Sequence, residues 1–285
     1  MTQSQAPIGV IGGGTMGVGI AYVFAAAGHA VTLVEPGANR RHALRGELRQ
    51  AAAAAVKRGK MSESEQDGLL GRITLIEHAD ALPTGLALAV ETVPEQLELK
   101  LAVLAAVEAR GPALLVTNTS AISIERLSSA LNAPERFMGM HFFNPVWSLA
   151  LVELVRGGRT SAATIAACES LVAGIGKQSI VVRDIPGFAT SRLDMSAALE
   201  AMRMLEDGVA SAEDIDRAAT LAYRHPVGPL RLSDIVGLDV RLDIARTMAA
   251  SHGARFEPPQ ILVDKVAAGD LGRKTGRGFH TWAEN

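Results

Sequence analysis

The segment Ile8-Gly9-Val10-Ile11-Gly12-Gly13-Gly14-Thr15-Met16-Gly17 carries the clearest fold signal in the chain. A short apolar run leads into glycines at Gly12, Gly14 and Gly17. From about Thr15 to Ala27 the residues then read as a helix, with Gly28 as a suitable C-terminal cap. This spacing fits the dinucleotide fingerprint: the first glycine permits the tight turn, the second lets backbone approach a pyrophosphate, and the third lets helix and strand pack closely. The helix N-terminus would present free amides to that anion, with Gly13, Thr15 and Met16 completing the loop. Glu35 closes the next apolar run at about the distance expected of the ribose-binding acid. A carboxylate there accepts from a ribose 2′-hydroxyl and repels a 2′-phosphate, which favours NAD over NADP. Arg40 and Arg41 lie close by and read as a solvated helix face.

Outward from this unit, short runs rich in Val, Ile and Leu alternate with helical segments as far as about residue 184. Candidate strands are Ile8–Gly12, Ala30–Glu35, Ile73–Glu77, Leu86–Thr92, Ala113–Thr119, Phe137–Phe143, Leu149–Val155 and Ser179–Arg183. Such alternation predicts an α/β fold: a Rossmann-type, parallel, doubly wound sheet. Ala38–Gly59 reads as a long helix. Ser62 with Glu65 forms a capping box, and Pro94 stands where another helix would begin. After Pro186 the strand signal stops. Met195, Leu199, Met202 and Leu205 recur at helical spacing, Ser211 with Asp214 gives a second capping box, and further helices are expected over about Leu232–Ser251 and Pro259–Ala268. The expected domains are therefore 1–185, binding the nucleotide, and 186–285, an all-helical C-terminal domain for substrate and dimerisation, with the active site in the cleft between them.

Composition narrows the function. The 285 residues are 48% hydrophobic and 20% charged with a formal net charge of −2, so neither a nucleic acid nor a membrane surface is an expected partner. No stretch approaches the ~20 apolar residues of a membrane span. The start Met1–Pro7 has no basic n-region followed by an apolar run, so a cytoplasmic location is expected. The single cysteine, Cys168, fits a reducing compartment and a buried place on a helix. No metal site is expected.

Two more clusters carry chemistry. Asn118-Thr119-Ser120 ends a candidate strand, and ligands bind at the carboxyl ends of strands in such sheets. His141 and Glu153 each interrupt a strongly apolar strand. Burying that carboxylate unpaired is costly, so the economical solution pairs it with the imidazole, which orients the ring and stabilises its protonated form. A general acid/base needs both.

With these motifs the chain resembles the short 3-hydroxyacyl-coenzyme A dehydrogenases, including the bacterial 3-hydroxybutyryl-coenzyme A enzymes. The resemblance runs from Ile8–Gly12 through Thr117–Ser120, His141-Phe142-Phe143-Asn144-Pro145, Pro186-Gly187-Phe188 and His225-Pro226-Val227-Gly228-Pro229 to the tail Leu271–Phe279. It implies reversible, NAD-dependent oxidation of a 3-hydroxyacyl-CoA to the 3-oxoacyl-CoA in fatty acid metabolism, by a homodimer. By the same resemblance His141 takes the proton of the 3-hydroxyl, Glu153 holds His141, and Ser120 hydrogen-bonds the substrate oxygen. Asn118 and Asn144 lie near the cofactor, Glu95 and Lys100 contact it, and Arg58, in Lys57-Arg58-Gly59-Lys60, contacts coenzyme A. In one place the chain departs from the pattern. Ser191, in Gly187-Phe188-Ala189-Thr190-Ser191-Arg192, stands where the family usually has a catalytic-site Asn, which bears on substrate identity and rate. Two other readings stay open: a dehydrogenase of a free 3-hydroxy acid or sugar acid, gulonate-dehydrogenase-like, and a non-catalytic NAD-responsive binding protein.

Overall fold

A computed structural model of the chain describes residues 5–283. Residues 1–4, where the expectation about the chain start falls, and residues 284–285 lie outside them. The chain divides into two compact units, Met1–Ile185 and Pro186–Asn285.

The first unit is built on eight strands: β1 (Gln5–Ile11), β2 (His29–Val34), β3 (Ile73–Ile76), β4 (Leu88–Glu91), β5 (Leu115–Thr117), β6 (Phe137–Phe142), β7 (Leu151–Arg156) and β8 (Gln178–Arg183). All form one sheet in the order β3-β2-β1-β4-β5-β6-β7-β8. Strands β1 to β6 are parallel to their neighbours, but β7 runs antiparallel to β6, and β8 follows β7 in parallel. The all-parallel sheet expected from the alternation is thus corrected at its end. Residues 143–150 include no helix, and a connection that short turns the chain back, whereas a parallel crossover needs a dozen or more residues.

Helix α1 (Thr15–Ala26) is buried on nearly every side, with Gly17 through Ala25 all buried. Its Ile20 and Phe24 join Ile8, Val10, Leu33 and Val90 of the sheet in the main core. Burial of each such large side chain contributes about 1.5–3 kcal/mol. Helix α2 (Ala38–Lys57) buries the stripe Leu44, Leu48, Ala52 and Ala55. Helix α3 (Glu63–Gly71) has both halves of the Ser62/Glu65 capping box. Helix α4 is Leu97–Glu108, so Pro94 does not open it; residues 92–96 form a turn in which the Gln96 amide donates to the Pro94 carbonyl at 2.7 Å. Helices α5 (Ile124–Ser128) and α6 (Ala162–Gly174) complete this unit. Cys168 is buried in α6, and burial pushes its thiol up to about 12.

The second unit contains α7 (Thr190–Glu206), α8 (Ala212–Ala222), α9 (Pro229–Val236), α10 (Leu238–His252) and α11 (Gln260–Ala267). The expected helix over Leu232–Ser251 is two helices, broken at Gly237 (φ 107°), a conformation that ends a helix at little steric cost only for glycine. The second capping box is half present: the Ser211 hydroxyl accepts from the Asp214 amide. Met195, Leu199, Met202, Leu230, Leu242 and Met248 form this unit's own core. The tail folds onto buried Asp234, which accepts from the Phe279 and His280 amides at 2.8 Å and from the Trp282 ring nitrogen at 2.9 Å. No helix among the described residues is long and apolar enough to cross a membrane.

Candidate active site

The glycine turn follows β1 where the strand order reverses between β1 and β4, the switch point at which such sheets bind ligands. Gly12 has φ 112°, and a Cβ there would meet the Thr92 carbonyl at 2.8 Å. A Cβ on Gly17 would lie 1.8 Å from the Gly12 carbonyl oxygen, so helix and turn approach as closely as the sequence pattern implied. At Gly14 a Cβ would meet nothing within 4 Å, and Gly14 and Thr15 are exposed. No side chain caps α1 and no acid lies in its first turn. The amides of Thr15, Met16 and Gly17, which have no partner within the helix, therefore present the positive pole of a buried helix at an open surface, where an anionic phosphate group fits.

Glu35 lies one residue past β2. Its carboxylate accepts from the Gly13 amide at 3.0 Å and from the Gly37 amide at 2.8 Å. It borders a cleft of about 400 Å³ walled by Ile11, Val34, Pro36, Val93, Leu99 and Val103. An apolar slot with one fixed carboxylate on its rim suits an adenosine: the walls take the base and the acid accepts from the ribose. The residues present therefore fit a dinucleotide.

At the ends of β4 and β5, Glu95 and Lys100, the expected cofactor contacts, join a network with Glu91, Thr117 and Thr119, to which no role was assigned from the sequence. Glu91 is fully buried; it accepts from Lys100 Nζ at 2.8 and 3.1 Å, from the Thr117 hydroxyl at 2.6 Å and from the Val93 amide at 2.7 Å. Lys100 is 1% exposed and also donates to the Val93 carbonyl at 3.1 Å and pairs with Glu95 at 3.2 Å. Its charge therefore reaches the site through Glu91 and Glu95 rather than through an exposed ammonium. Glu95 in turn accepts from the Thr119 hydroxyl and from the amides of Ser120 at 3.1 Å and Ala121 at 3.2 Å. Burial would raise the Glu95 carboxyl, but the Thr119 hydroxyl, Lys100 and the Ala121 amide outweigh it and hold it below the usual carboxylate range. Asn118 accepts from the Phe142 amide at 2.9 Å, which fastens the end of β5 to β6 beside His141. Ser120 is exposed at the tip of this turn. A signal for Glu91 was available: it is a carboxylate at the end of the wholly apolar run Leu88-Ala89-Val90, the same pattern that singled out Glu153.

His141 and Glu153 are directly opposite each other in the antiparallel register of β6 and β7. Glu153 is fully buried, His141 is 7% exposed, and Nδ1 lies 2.8 Å from Glu153 Oε2. A carboxylate acting as acceptor for Nδ1–H selects the tautomer in which Nε2 is the nitrogen that takes up a proton. Phe143 packs on the imidazole with ring centroids 4.5 Å apart. The following loop carries exposed Asn144, and buried Lys177 pins the loop by donating to the Val146 and Leu149 carbonyls, both at 2.6 Å. Burial lowers the Lys177 ammonium below its ordinary value.

Glu95, Asn118, Ser120, His141 and Glu153 thus come together at the ends of β4 to β7. Arg58 is exposed at the C-terminal end of α2, and among the described residues no side-chain hydrogen bond joins it to that group. Ser191 is in the second unit, half-buried in the first turn of α7.

Residues 7–185 match the family model of the 3-hydroxyacyl-CoA dehydrogenase NAD binding domain, and residues 187–282 match that of the 3-hydroxyacyl-CoA dehydrogenase C-terminal domain. The chain belongs to the 3-hydroxyacyl-CoA dehydrogenase family. It is 39% identical over 287 residues to a 3-hydroxybutyryl-CoA dehydrogenase of Mycobacterium tuberculosis, covering 99% of this chain and 100% of that one. It is 39% identical over 278 residues to the 3-hydroxybutyryl-CoA dehydrogenase of Bradyrhizobium diazoefficiens, covering 96% of this chain and 94% of that one. The crystal structure of (S)-3-hydroxybutyryl-CoA dehydrogenase from Ralstonia eutropha superposes with a TM-score of 0.93 at 35% identity, over 98% of this chain and 99% of that one. As a 3-hydroxyacyl-CoA dehydrogenase the chain is an NAD-dependent oxidoreductase, and the glycine turn with Glu35 lies within the segment that matches the NAD binding domain.

Proposed function

We propose that this enzyme oxidises a short 3-hydroxyacyl-CoA of the 3-hydroxybutyryl class, reversibly, to the 3-oxoacyl-CoA. The observation that carries the assignment is the buried His141–Glu153 pair, placed in register at the sheet end that also holds the Asn118–Ser120 turn. NAD, when bound, supplies the acceptor for the hydride that leaves C3. His141 Nε2 accepts the proton of the 3-hydroxyl as the C–H bond breaks, and returns it in the reverse direction. Glu153 holds the ring and balances the charge that it gains. Ser120 donates its hydroxyl to the 3-oxygen. Asn144 and Asn118 border the nicotinamide, while Gly12 to Gly17 and Glu35 hold the pyrophosphate and ribose. Glu95, backed by Lys100, contacts the cofactor and fixes the turn that carries Ser120. Arg58, with Lys57 and Lys60, offers positive charge to the coenzyme A phosphates.

Ser191 belongs to the acyl end of the substrate site, where a serine hydroxyl brings one donor in place of an amide's two. The first unit serves as the NAD-binding domain and the second for substrate and dimerisation, with the enzyme acting as a homodimer in the cytoplasm. The test is His141→Ala. Turnover of acetoacetyl-CoA with NADH is expected to fall about 10²–10⁴-fold while NADH affinity stays within twofold. A variant that keeps more than half of wild-type turnover overturns the assignment.

A further inference from the structure

Two arginines follow the Glu35 turn directly, at the start of α2. An arginine in this position in a dinucleotide-binding unit is the usual donor to a ribose 2′-phosphate. Here both are already engaged. Arg40 donates Nε to the Gly13 carbonyl at 2.8 Å, and its two terminal nitrogens face the two oxygens of Glu47, the second at 3.0 Å. Glu47 stands seven residues along, two turns further on the same helix. Donation to the Glu47 carboxylate raises the Arg40 guanidinium above its ordinary value, against the smaller opposing effect of burial. Arg41 donates to the Glu35 and Pro36 carbonyls, both at 2.6 Å, and to Glu77 at 2.8 Å. Gly13 is the shared pivot: its amide donates to Glu35, and its carbonyl accepts from Arg40. Arg40 and Glu35 are therefore joined through Gly13 alone, and the bidentate face of the guanidinium is occupied by Glu47.

We propose that Glu47 is a specificity-determining residue for the cofactor. It latches Arg40 onto the glycine turn and occupies the fork that would otherwise take a 2′-phosphate, so that Glu35 alone decides what the ribose may carry. The inference rests on the reading of Glu35 as the ribose-side acid. Arg41 is held twice over, by backbone carbonyls as well as Glu77, and is not released by loss of one carboxylate. Arg40 depends on Glu47 for two of its three hydrogen bonds. The Arg40 and Glu47 side chains are 35% and 42% exposed, so the charge released is partly screened and its effect is modest.

The experiment is calorimetric binding of adenosine 2′,5′-bisphosphate and of 5′-AMP to the full-length protein, which needs no turnover, supported by kcat/KM for NADPH and NADH. Glu47→Gln is expected to raise the bisphosphate-to-AMP affinity ratio about five- to tenfold, the effect of one partly screened charge at contact distance. Adding Arg40→Gln to that variant should return the ratio to the wild-type value. Glu35→Ser, measured alongside, should raise the ratio by itself. If Glu35→Ser raises it and Glu47→Gln leaves it within twofold, the latch is wrong and the reading of Glu35 stands. If Glu47→Gln raises it but Arg40→Gln does not reverse the gain, Glu47 acts by its own charge and the latch is again wrong. If neither single variant moves the ratio, Glu35 is not the ribose-side acid, and both readings fall.

Discussion

Replacing Glu153 by Gln keeps the shape of the His141 partner and its acceptor oxygen but removes the charge. In the proposed reaction His141 gains a positive charge as it takes the hydroxyl proton. The carboxylate beside it, 2.8 Å from Nδ1, stabilises that change. With charge centres about 4 Å apart and an effective dielectric constant of about 20, the interaction is about 4 kcal/mol for a fully developed charge. Proton transfer is partial in the transition state, so about half of this is the lower bound. Both groups are buried, which leaves little solvent screening to discount. A loss of about 2–4 kcal/mol corresponds to roughly 30- to 1000-fold in kcat. The assay is steady-state NADH oxidation with acetoacetyl-CoA, together with NADH binding by fluorescence and thermal unfolding of each variant. Turnover should fall within that range while NADH affinity stays within twofold. Combined with His141→Ala, the Gln substitution should cost little more than His141→Ala alone, because the two groups act as one unit. Turnover above half of wild type in Glu153→Gln, or additive losses in the double variant, would rule out this role for the carboxylate.

The buried network at β4 and β5 makes two further predictions. Lys100→Met removes the cation that serves both oxygens of Glu91 and should destabilise the protein by about 3–5 kcal/mol in urea unfolding, with part of the loss recovered in Lys100→Met/Glu91→Gln, where no buried charge is left unpaired; equal stability of wild type and Lys100→Met would show that the pair carries no such energy. Glu95, whose carboxyl is held low, contributes stability that is complete above the ordinary carboxylate range and is lost as pH falls through its depressed folded value. Glu95→Gln should therefore be less stable than wild type at neutral pH and converge with it in acid, and a difference that stays constant with pH would contradict this origin.

What was legible in the sequence depended on how local the signal was. All eight strands appear near their expected places, because each is a short apolar run bounded by turn residues. The direction of β7 was not legible from the alternation, since a run such as Leu151-Val152-Glu153-Leu154-Val155 reads the same in either direction; the short connection before it carried the answer. The Pro94 helix start failed because Glu95 points back to hold the Thr119–Ala121 turn, a long-range partner that no local pattern shows. The His141–Glu153 pair was legible because an isolated carboxylate in an apolar strand demands a counterpart. Glu91 demanded one equally, but its counterpart, Lys100, lies on the helix that follows, where a lysine reads as surface. The Arg40–Glu47 pair shows the same limit. In sequence both are ordinary residues of a charged helix, and only the placement of Gly13 between Arg40 and Glu35 gives the pair a role.

A single rate comparison separates a dehydrogenase of coenzyme A thioesters from one that takes the free acid. NADH oxidation is followed at neutral pH with acetoacetyl-CoA and, separately, with free acetoacetate. Binding energy from the coenzyme A handle is available only to the thioester, so its kcat/KM should exceed that of the free acid by at least about tenfold, or roughly 1.4 kcal/mol of transition-state stabilisation. A free acid that matches or outperforms the thioester would contradict the account and place the enzyme with dehydrogenases of free 3-hydroxy acids.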